Sequence, residues 1–294
     1  MDKSCWMSRL DEDMPLNNVT VPGSHNAGSW DIHACSPWNS ARKGTAAKFA
    51  KLAKYTLPCI NVNYAKVQNL DLVDQFKEGV RYFDLRVAKH DDDYRFSHGL
   101  LGSKFLDGIQ DLLDHTLFYK YNKEILVLDI RFIWGFREND HYKFQERLLH
   151  MIGNRIASRK KFTPSSSLSK YWNSQKNVIV IYNSKMRSKL FWSKRNIKST
   201  WPNALDPTIA VDKINKFIHD IKDDKYFYGV HAILTPTVKY VATRPFSSTI
   251  KLSESINKKV IDLMDNEWAK KVSFIIYDVV EYPGLAEAII LSNF

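Results

Sequence analysis

Two histidines follow short runs of β-forming residues at points where the chain turns. His25 lies in the stretch VTVPGSHNAGSW at 19–30, and His98 stands just before Gly99 in YRFSHG. Each pattern predicts a short strand with an imidazole at its carboxyl end, which is where α/β folds place their chemistry. A neutral imidazole accepts a proton and an imidazolium donates one, so a histidine pair is suited to acid–base catalysis. A lone loop histidine is more often structural, and the interpretation therefore depends on partners elsewhere in the chain.

Charged residues inside other predicted strands supply such partners. Asp84 and Arg86 stand two apart in VRYFDLRV, Asp129 and Arg131 have the same spacing in EILVLDIRFIW, and Asp278 lies in VSFIIYDVV. Residues two apart in a strand point to the same side. An arginine holds phosphoryl oxygens and a carboxylate orients a histidine, so this set is suited to splitting a phosphodiester. The alternative is that buried aspartates and arginines only pair with each other.

Strands and helices alternate along the whole chain, which predicts one α/β domain over 1–294. The periodicity predicts strands at 80–87, 94–99, 124–134, 176–182, 228–234 and 272–280, and helices at 71–78, 104–119, 140–157, 206–220, 253–270 and 285–291. A (β/α) barrel fits this order. An open doubly wound sheet is the alternative, but no glycine-rich dinucleotide fingerprint follows the first strand. P-loop, HExxH, EF-hand and GxSxG patterns are also missing.

Composition describes an ordinary folded protein with an excess of positive charge. Hydrophobic residues make up 44% and charged residues 26% of the 294, which disfavours disordered and fibrous classes. The net charge of +11 favours an anionic partner: nucleic acid, anionic lipid or a phosphorylated substrate. No nucleic-acid-binding motif is present, so nucleic acid is not expected.

The three cysteines and the absence of long apolar runs predict where the protein works. Cys5, Cys35 and Cys59 form neither an even set nor a metal-type spacing, which favours a reducing compartment. No signal-peptide core is seen, nor a run of roughly 20 apolar residues as a membrane span requires. We expect a cytoplasmic protein whose membrane association, if any, is peripheral.

Several runs resemble the X domain of phosphatidylinositol-specific phospholipases C, and in particular the small eukaryotic X-domain-containing proteins. These runs are PGSHNAG, LPCI, LDLVDQFKEGVRYFDLR, FSHG, EILVLDIR, VIVIY and YDVVEYPGLAEAI. The resemblance covers most of the chain in order and is most specific in the first hundred residues. It implies a distorted TIM barrel. It also implies attack of the inositol 2-hydroxyl on phosphorus, which releases diacylglycerol and forms a cyclic inositol phosphate.

The resemblance also implies roles for the residues singled out above. His25 matches the general base, His98 the general acid and Arg86 the arginine that stabilises the phosphate. Asp84 and Asp278 match the supporting carboxylates. The implied activity is that of a phosphoric diester hydrolase acting on phosphatidylinositol-type lipids, with no obligate protein partner.

Substrate binding and metal dependence are predicted from neighbouring positions. Arg131 matches a basic contact to the headgroup, and Asn26 and Tyr182 are the other predicted substrate-binding residues. Arg86 stands where calcium-dependent members carry further acidic ligands, so we expect no metal and no other cofactor. Asn26 departs from the aspartate of metal-independent members, and the alternative is a calcium site using Asn26 and Asp84. A catalytically weak or inactive protein that binds phosphoinositides or anionic membranes is the alternative function.

Two basic segments predict contact with an anionic lipid surface. The stretch at 183–201, NSKMRSKLFWSKRNIKSTW, follows the VIVIY strand and combines cations with Phe191, Trp192 and Trp201. The stretch at 36–57 predicts a lysine-rich amphipathic helix. Loops that follow barrel strands lie on the catalytic side, so both segments are predicted to face the membrane. The alternative for 183–201 is a solvated basic loop with its aromatic residues in the core.

Overall fold

A computed structural model describes residues 2–43, 51, 58–117, 121–264, 268–269 and 271–294. Its strands are β1 (Val21–Ser24), β2 (Tyr82–His90), β3 (Asp93–His98), β4 (Leu100–Lys104), β5 (Leu126–Trp134), β6 (Val178–Tyr182), β7 (Ile197–Thr200), β8 (Phe227–Ala232) and β9 (Phe274–Tyr277). Its helices are α1 (Pro58–Ala65), α2 (Leu72–Lys77), α3 (Phe105–His115), α4 (Glu138–Ile152), α5 (Leu168–Ser174), α6 (Pro207–His219), α7 (Val238–Thr243), α8 (Thr249–Met264) and α9 (Leu285–Leu291). The predicted helix at 36–57 lies for the most part outside the described residues.

Seven strands form one parallel sheet in the order β6, β5, β2, β1, β9, β8, β7. The second half of β2 also pairs antiparallel with β3, which pairs with β4. Within the described residues no ladder joins β6 to β7, so the sheet is not closed. Trp192 lies against the free edge of β6, where its amide donates to Val180 and its carbonyl accepts from Tyr182. The fold is therefore α/β with a mixed central sheet.

One face of the seven strands encloses a common core. The cluster includes Val21, Tyr82, Ile179, Phe227 and Phe274, and the rings of Tyr82 and Phe274 stack at 4.4 Å between centroids. The alternate positions on the same strands pack outward in a second cluster with the helices. Because strands from both ends of the sheet meet in one inner cluster, the sheet must curve around it. This is the arrangement of a distorted, incompletely closed (β/α) barrel, and the predicted fold class is confirmed.

The end of the barrel at which the strands begin is covered by the N-terminal segment. Trp6 and Met7 of the 3₁₀ helix Lys3–Arg9 are fully buried there. Beneath them Arg81 and Glu124 form an ion pair of 2.6 Å with both side chains fully buried. Glu124 also accepts from the amide of Met7, at 3.4 Å. This end of the barrel is therefore sealed, and access is left to the opposite end.

The predicted strands and the six predicted helices all appear, with ends that differ by a few residues. The strands β4 and β7 and the helices α1, α5 and α7 were not predicted. Strand β4 contains a glycine and β7 reads IKST, so neither has a strong apolar pattern, and their pairing with neighbours decides their conformation. None of the helices in the described part of the chain has the length and apolar character needed to cross a membrane.

Candidate active site

The polar residues of the inner barrel face gather at the carboxyl ends of the strands. Side chains alternate along a strand, so the inward apolar residues near the start of each strand define which later residues also face inward. Tyr82 is inward, and Asp84 and Arg86 follow at intervals of two. Val127 leads in the same way to Asp129 and Arg131, although the register with β2 shifts there and Arg86 stands opposite Phe132. The inward residues at this end are His25, Asp84, Arg86, Asp129, Arg131, His231 and Asp278, and six of these seven were singled out from the sequence.

His25 is held from both sides of its ring. Its Nδ1 lies 2.6 Å from Oδ1 of Asp278, and Nη2 of Arg86 lies 2.7 Å from its Nε2. An arginine only donates, so Nε2 accepts this hydrogen bond and Nδ1 carries the proton that is donated to Asp278. The contacts therefore define one neutral tautomer of His25, with the lone pair of Nε2 directed into the site.

The turn after β1 places His25 by tight backbone contacts. The amide of His25 donates to the carbonyl of Tyr277 at 3.0 Å, and Asn26 adopts left-handed backbone angles, φ 44° and ψ 55°. The next turn, Ala27–Ser29, lies so close to β3 that a Cβ at Gly28 would stand 2.0 Å from a ring carbon of Phe96. The sequence HNAG thus matches a turn that needs an αL-tolerant residue followed by a glycine.

Asp84 anchors Arg86. The side chain of Asp84 is fully buried, and its Oδ2 accepts from Nη2 of Arg86 at 3.2 Å. Burial opposes ionisation, but the charges of Arg86 and Arg131 outweigh it and hold the pKa of Asp84 well below its usual range. Arg86 also lies over the ring of Phe132, with 5.0 Å from Cζ to the centroid. The guanidinium is therefore fixed beside His25 by an ionised carboxylate.

His98 faces His25 across the site, with 6.0 Å between the ring centroids. Its Nδ1 donates to the carbonyl of Ala65 at 2.7 Å, because a carbonyl can only accept. Desolvation of the ring and then the charge of Arg86 lower the pKa of His98 well below its usual value. Without a bound anion His98 is therefore neutral at physiological pH.

A second polar network adjoins the first. Asp129 Oδ2 accepts from the hydroxyl of Tyr82 at 2.5 Å and from Nε of Arg131 at 3.1 Å. Nη1 of Arg131 donates to Nε2 of His231 at 2.8 Å. Burial, and then the charge of Arg131, lower the pKa of His231 well below its usual value. His231 thus stays neutral, with its ring centroid 6.3 Å from that of His25.

The structure does not bring Tyr182 to this cluster. Tyr182 stands opposite Ile130 in the β5–β6 register, so it shares the outward face with Val180 while the inward position belongs to Ile181. Its hydroxyl lies 2.7 Å from Nδ1 of His141 on α4. The prediction of Tyr182 as a substrate-binding residue therefore did not account for the face of the strand that it occupies.

For two of the three aromatic residues of 183–201, the structure agrees with the alternative of a basic loop that has aromatic residues in the core. Phe191 and Trp192 are buried, and the indole nitrogen of Trp192 donates to the carbonyl of Ala157 at 2.7 Å. Trp201 is 38% exposed and covers the site, with its ring centroid 5.3 Å from His25 and 5.0 Å from His231. Apolar packing against the barrel therefore takes two of the three aromatics away from the surface.

Sequence reasoning missed His231 and did not place Trp201 at the site. The signal for His231 was present, since it follows the inward Phe227 by an even number of positions in FYGVHA. Trp201 carried no such signal, because it follows β7, a strand with no clear apolar pattern.

The two residues considered as calcium ligands are neighbours. The backbone amide of Asn26 donates to Oδ2 of Asp84 at 3.3 Å, and the side-chain amide nitrogen of Asn26 is buried without a hydrogen-bond partner from the residues that the structure describes. Among the described residues no group of three or more His, Cys, Asp or Glu side chains has a metal-binding arrangement. Asn26 and Asp84 alone provide far fewer oxygens than the six to eight that calcium takes.

Comparisons with known proteins agree with the motifs. No protein-family model matches the chain. PI-PLC X domain-containing protein 3 of Homo sapiens is 24% identical over 305 residues, which cover 98% of this chain and 93% of the relative. PI-PLC X domain-containing protein 2 of Homo sapiens is 26% identical over 250 residues, 81% of this chain and 79% of the relative.

Solved structures show the same fold. The phosphatidylinositol-specific phospholipase C from Listeria monocytogenes aligns with a TM-score of 0.65 at 16% identity, covering 100% of both chains. A structure of the Staphylococcus aureus enzyme gives a TM-score of 0.68 at 17% identity, covering 100% of this chain and 98% of the other. At these identities the structural likeness shows the fold alone, and the sequence matches show which proteins the chain resembles. The resemblance to the PI-PLC X domain-containing family is therefore confirmed, and the chain is similar to these proteins along nearly all of its length.

Proposed function

We propose that the protein cleaves phosphatidylinositol-type lipids by attack of the inositol 2-hydroxyl on phosphorus. One observation carries the proposal: His25 is oriented by Asp278, presents an unprotonated nitrogen beside Arg86, and faces a second histidine 6.0 Å away. This is the arrangement that general acid–base cleavage of a phosphodiester requires.

In the proposed reaction His25 is the base and His98 the acid. The inositol 2-hydroxyl replaces Arg86 as the partner of His25 Nε2, which takes the hydroxyl proton as the oxygen attacks phosphorus. The bond from phosphorus to the glycerol oxygen breaks, and His98 gives a proton to that oxygen. The products are diacylglycerol and a cyclic inositol phosphate. Asp278 stabilises the imidazolium that forms on His25.

The negative charge of the substrate favours the protonated form of His98 that an acid requires. His98 is neutral in the ligand-free protein because its ring is desolvated and Arg86 lies nearby. A phosphodiester anion bound to Arg86 offsets that positive charge and favours the imidazolium form. We therefore propose that His98 becomes an acid only when the phosphate is in place.

We propose that Arg86 does this work without a metal. Its guanidinium stands between His25 and Asp84 and can bind phosphoryl oxygens in the place of a cation. The alternative is calcium bound through Asn26 and Asp84. EGTA titration of turnover separates the two, because a loss of turnover that calcium restores would contradict the metal-free proposal.

We also propose that the mouth of the barrel rests on an anionic membrane. Large exposed apolar residues lie near or beyond the carboxyl ends of the strands there: Phe132 within the last part of β5, Trp201 after β7, and Val238 and Phe246 after β8. Loops at this end surround the site, so a lipid surface at the mouth delivers headgroups to it. The phosphatidylinositol-specific phospholipase C of Staphylococcus aureus binds membranes, which supports the same use of this fold.

The test is product analysis by phosphorus NMR with phosphatidylinositol vesicles. Wild-type protein is expected to produce a cyclic inositol phosphate, and His25→Ala and His98→Ala to abolish it. His219→Ala is the matched control, because that side chain is 88% exposed and remote from the site. Equal background release from wild type and the two site variants would refute the enzymatic proposal.

The second candidate is a catalytically weak phosphoinositide-binding protein. Two observations favour it: Arg86 occupies the hydrogen-bonding position of His25 Nε2, and Asn26 provides no carboxylate to draw Arg86 away. In that case the vesicles bind but no cyclic phosphate appears. Sedimentation with phosphatidylinositol vesicles, measured beside the NMR assay, distinguishes this protein from the enzyme.

A further inference from the structure

His231 has an unusual combination of contacts for a buried residue. It lies on β8 with no exposed surface, and its Nε2 accepts a hydrogen bond from Nη1 of Arg131. Since that nitrogen accepts, the proton of the neutral ring is on Nδ1. Nδ1 is buried and has no hydrogen-bond partner among the described residues. The ring thus holds a defined N–H donor that no described residue accepts.

Other polar atoms that lack a hydrogen-bond partner in the described part of the chain belong to the same site. They are Nε of Arg86, Oδ1 of Asp84 and Nδ2 of Asn26, all buried. A native protein leaves few buried polar atoms unpaired, and a group of them in one place needs an explanation. A ligand with several hydroxyl groups could pair with these donors and acceptors together, because each hydroxyl both donates and accepts hydrogen bonds.

Trp201 covers this group. Its ring lies 5.0 Å from that of His231 with 30° between the planes, and 5.3 Å from that of His25. It follows β7, the edge strand of the parallel sheet, and its indole nitrogen makes one hydrogen bond, to Oγ1 of Thr235 at 3.0 Å. Displacement of the Trp201 ring would uncover both imidazoles together.

We propose that His231 Nδ1 donates a hydrogen bond to a hydroxyl of the lipid headgroup, which enters by displacing Trp201. The proposal rests on the proposed function and adds a residue that recognises a hydroxyl of the headgroup and a ring that must move to admit it. Arg131 acts on His231 as a positioning residue, because its hydrogen bond to Nε2 keeps the proton on Nδ1. A headgroup without ring hydroxyls, such as choline, would leave the Nδ1 donor unpaired and would bind less well.

Two substitutions separate the functions of the two ring nitrogens. The amide of glutamine reaches approximately where Nε2 lies, so His231→Gln keeps an acceptor for Arg131 and removes the donor at Nδ1. The shorter asparagine places its amide near Nδ1, so His231→Asn keeps a donor there and removes the acceptor. A structural role predicts that His231→Gln is the milder change, whereas our proposal predicts that it is the more harmful one for ligand binding.

The probe is myo-inositol 1-phosphate, with binding measured by calorimetry and folding by thermal unfolding. We expect His231→Gln to unfold close to wild type and to bind roughly tenfold more weakly, as the loss of one hydrogen bond predicts. His231→Asn is expected to retain more of the affinity. We further expect the ligand to change tryptophan fluorescence in wild type and much less in Trp201→Phe.

The outcomes distinguish this proposal from the proposed function. If His231→Gln binds the probe as tightly as wild type, the role of His231 is refuted whether or not the protein cleaves lipid. If wild type binds the probe and His231→Gln does not, while no cyclic phosphate forms from phosphatidylinositol, the headgroup site stands and catalysis fails. Equal fluorescence changes in wild type and Trp201→Phe would refute displacement of Trp201.

Discussion

Replacing Asp278 with asparagine tests the contact on which the proposed base depends. The carboxylate Oδ1 lies 2.6 Å from His25 Nδ1, and both side chains are at most 4% exposed. When His25 takes a proton, a positive charge forms next to Asp278. Two unit charges about 4 Å apart interact by about 4 kcal/mol at an effective dielectric constant of 20. Losing this stabilisation predicts a fall in kcat of about 10³-fold.

Asparagine adds a second effect in the same direction. Its amide can turn its NH₂ group toward Nδ1, which would favour the tautomer with the proton on Nε2. That tautomer cannot accept the proton of the inositol hydroxyl. The backbone around the site should be unaffected, because the carbonyl of Asp278 still accepts from Asn257 Nδ2.

The assay is initial formation of cyclic inositol phosphate from phosphatidylinositol vesicles, followed by phosphorus NMR. Asp220→Asn is the matched control, since Asp220 lies 3.6 Å from His219 in a pair that is exposed on the surface. We expect wild-type rates from Asp220→Asn and equal thermal unfolding of both variants. An Asp278→Asn protein that folds normally and keeps a rate within tenfold of wild type would refute the assigned role of Asp278.

Three further predictions concern stability and membrane contact. Glu124→Ala leaves the fully buried Arg81 charge without its carboxylate, so the free energy of unfolding measured in urea should fall by about 3–5 kcal/mol. A fall of less than about 1 kcal/mol would contradict the importance of this ion pair. Burial and the nearby Arg131 lower the folded-state pKa of His231. In the unfolded chain His231 has a pKa of about 6.5 and binds a proton below that pH, so the free energy of unfolding decreases as the pH is lowered. His231→Gln should remove up to about 1.4 kcal/mol of the loss between pH 7.5 and 5.5, and an unchanged pH dependence would be evidence against the assigned protonation state. Phe246 is exposed at the mouth, and Phe246→Ala should weaken sedimentation with anionic vesicles. Leu117 is exposed at the other end of the barrel, and Leu117→Ala should leave sedimentation unchanged. Equal effects of the two substitutions would argue against docking by the mouth.

The sequence alone determined the fold class and most of the polar site. Alternating strands and helices predicted the α/β barrel, and the spacing of two within DLR and DIR placed Asp84 with Arg86 and Asp129 with Arg131 on common faces. These predictions succeed because strand periodicity is local and does not depend on which strands become neighbours.

The tertiary structure decided which residues of the remaining segments reach the site. Tyr182 packs outward because it alternates with the inward Ile181 along the strand. In a wholly apolar strand such as VIVIY the sequence does not indicate which alternate residues face inward, and only the neighbouring strands decide it. Trp192 is buried and Trp201 covers His25 because the chain after β6 first packs along the free edge of that strand and only then forms β7. His231 pairs with Arg131 from a strand 100 positions away. Contacts between residues so distant in sequence arise only when the sheet curves and its strand ends meet.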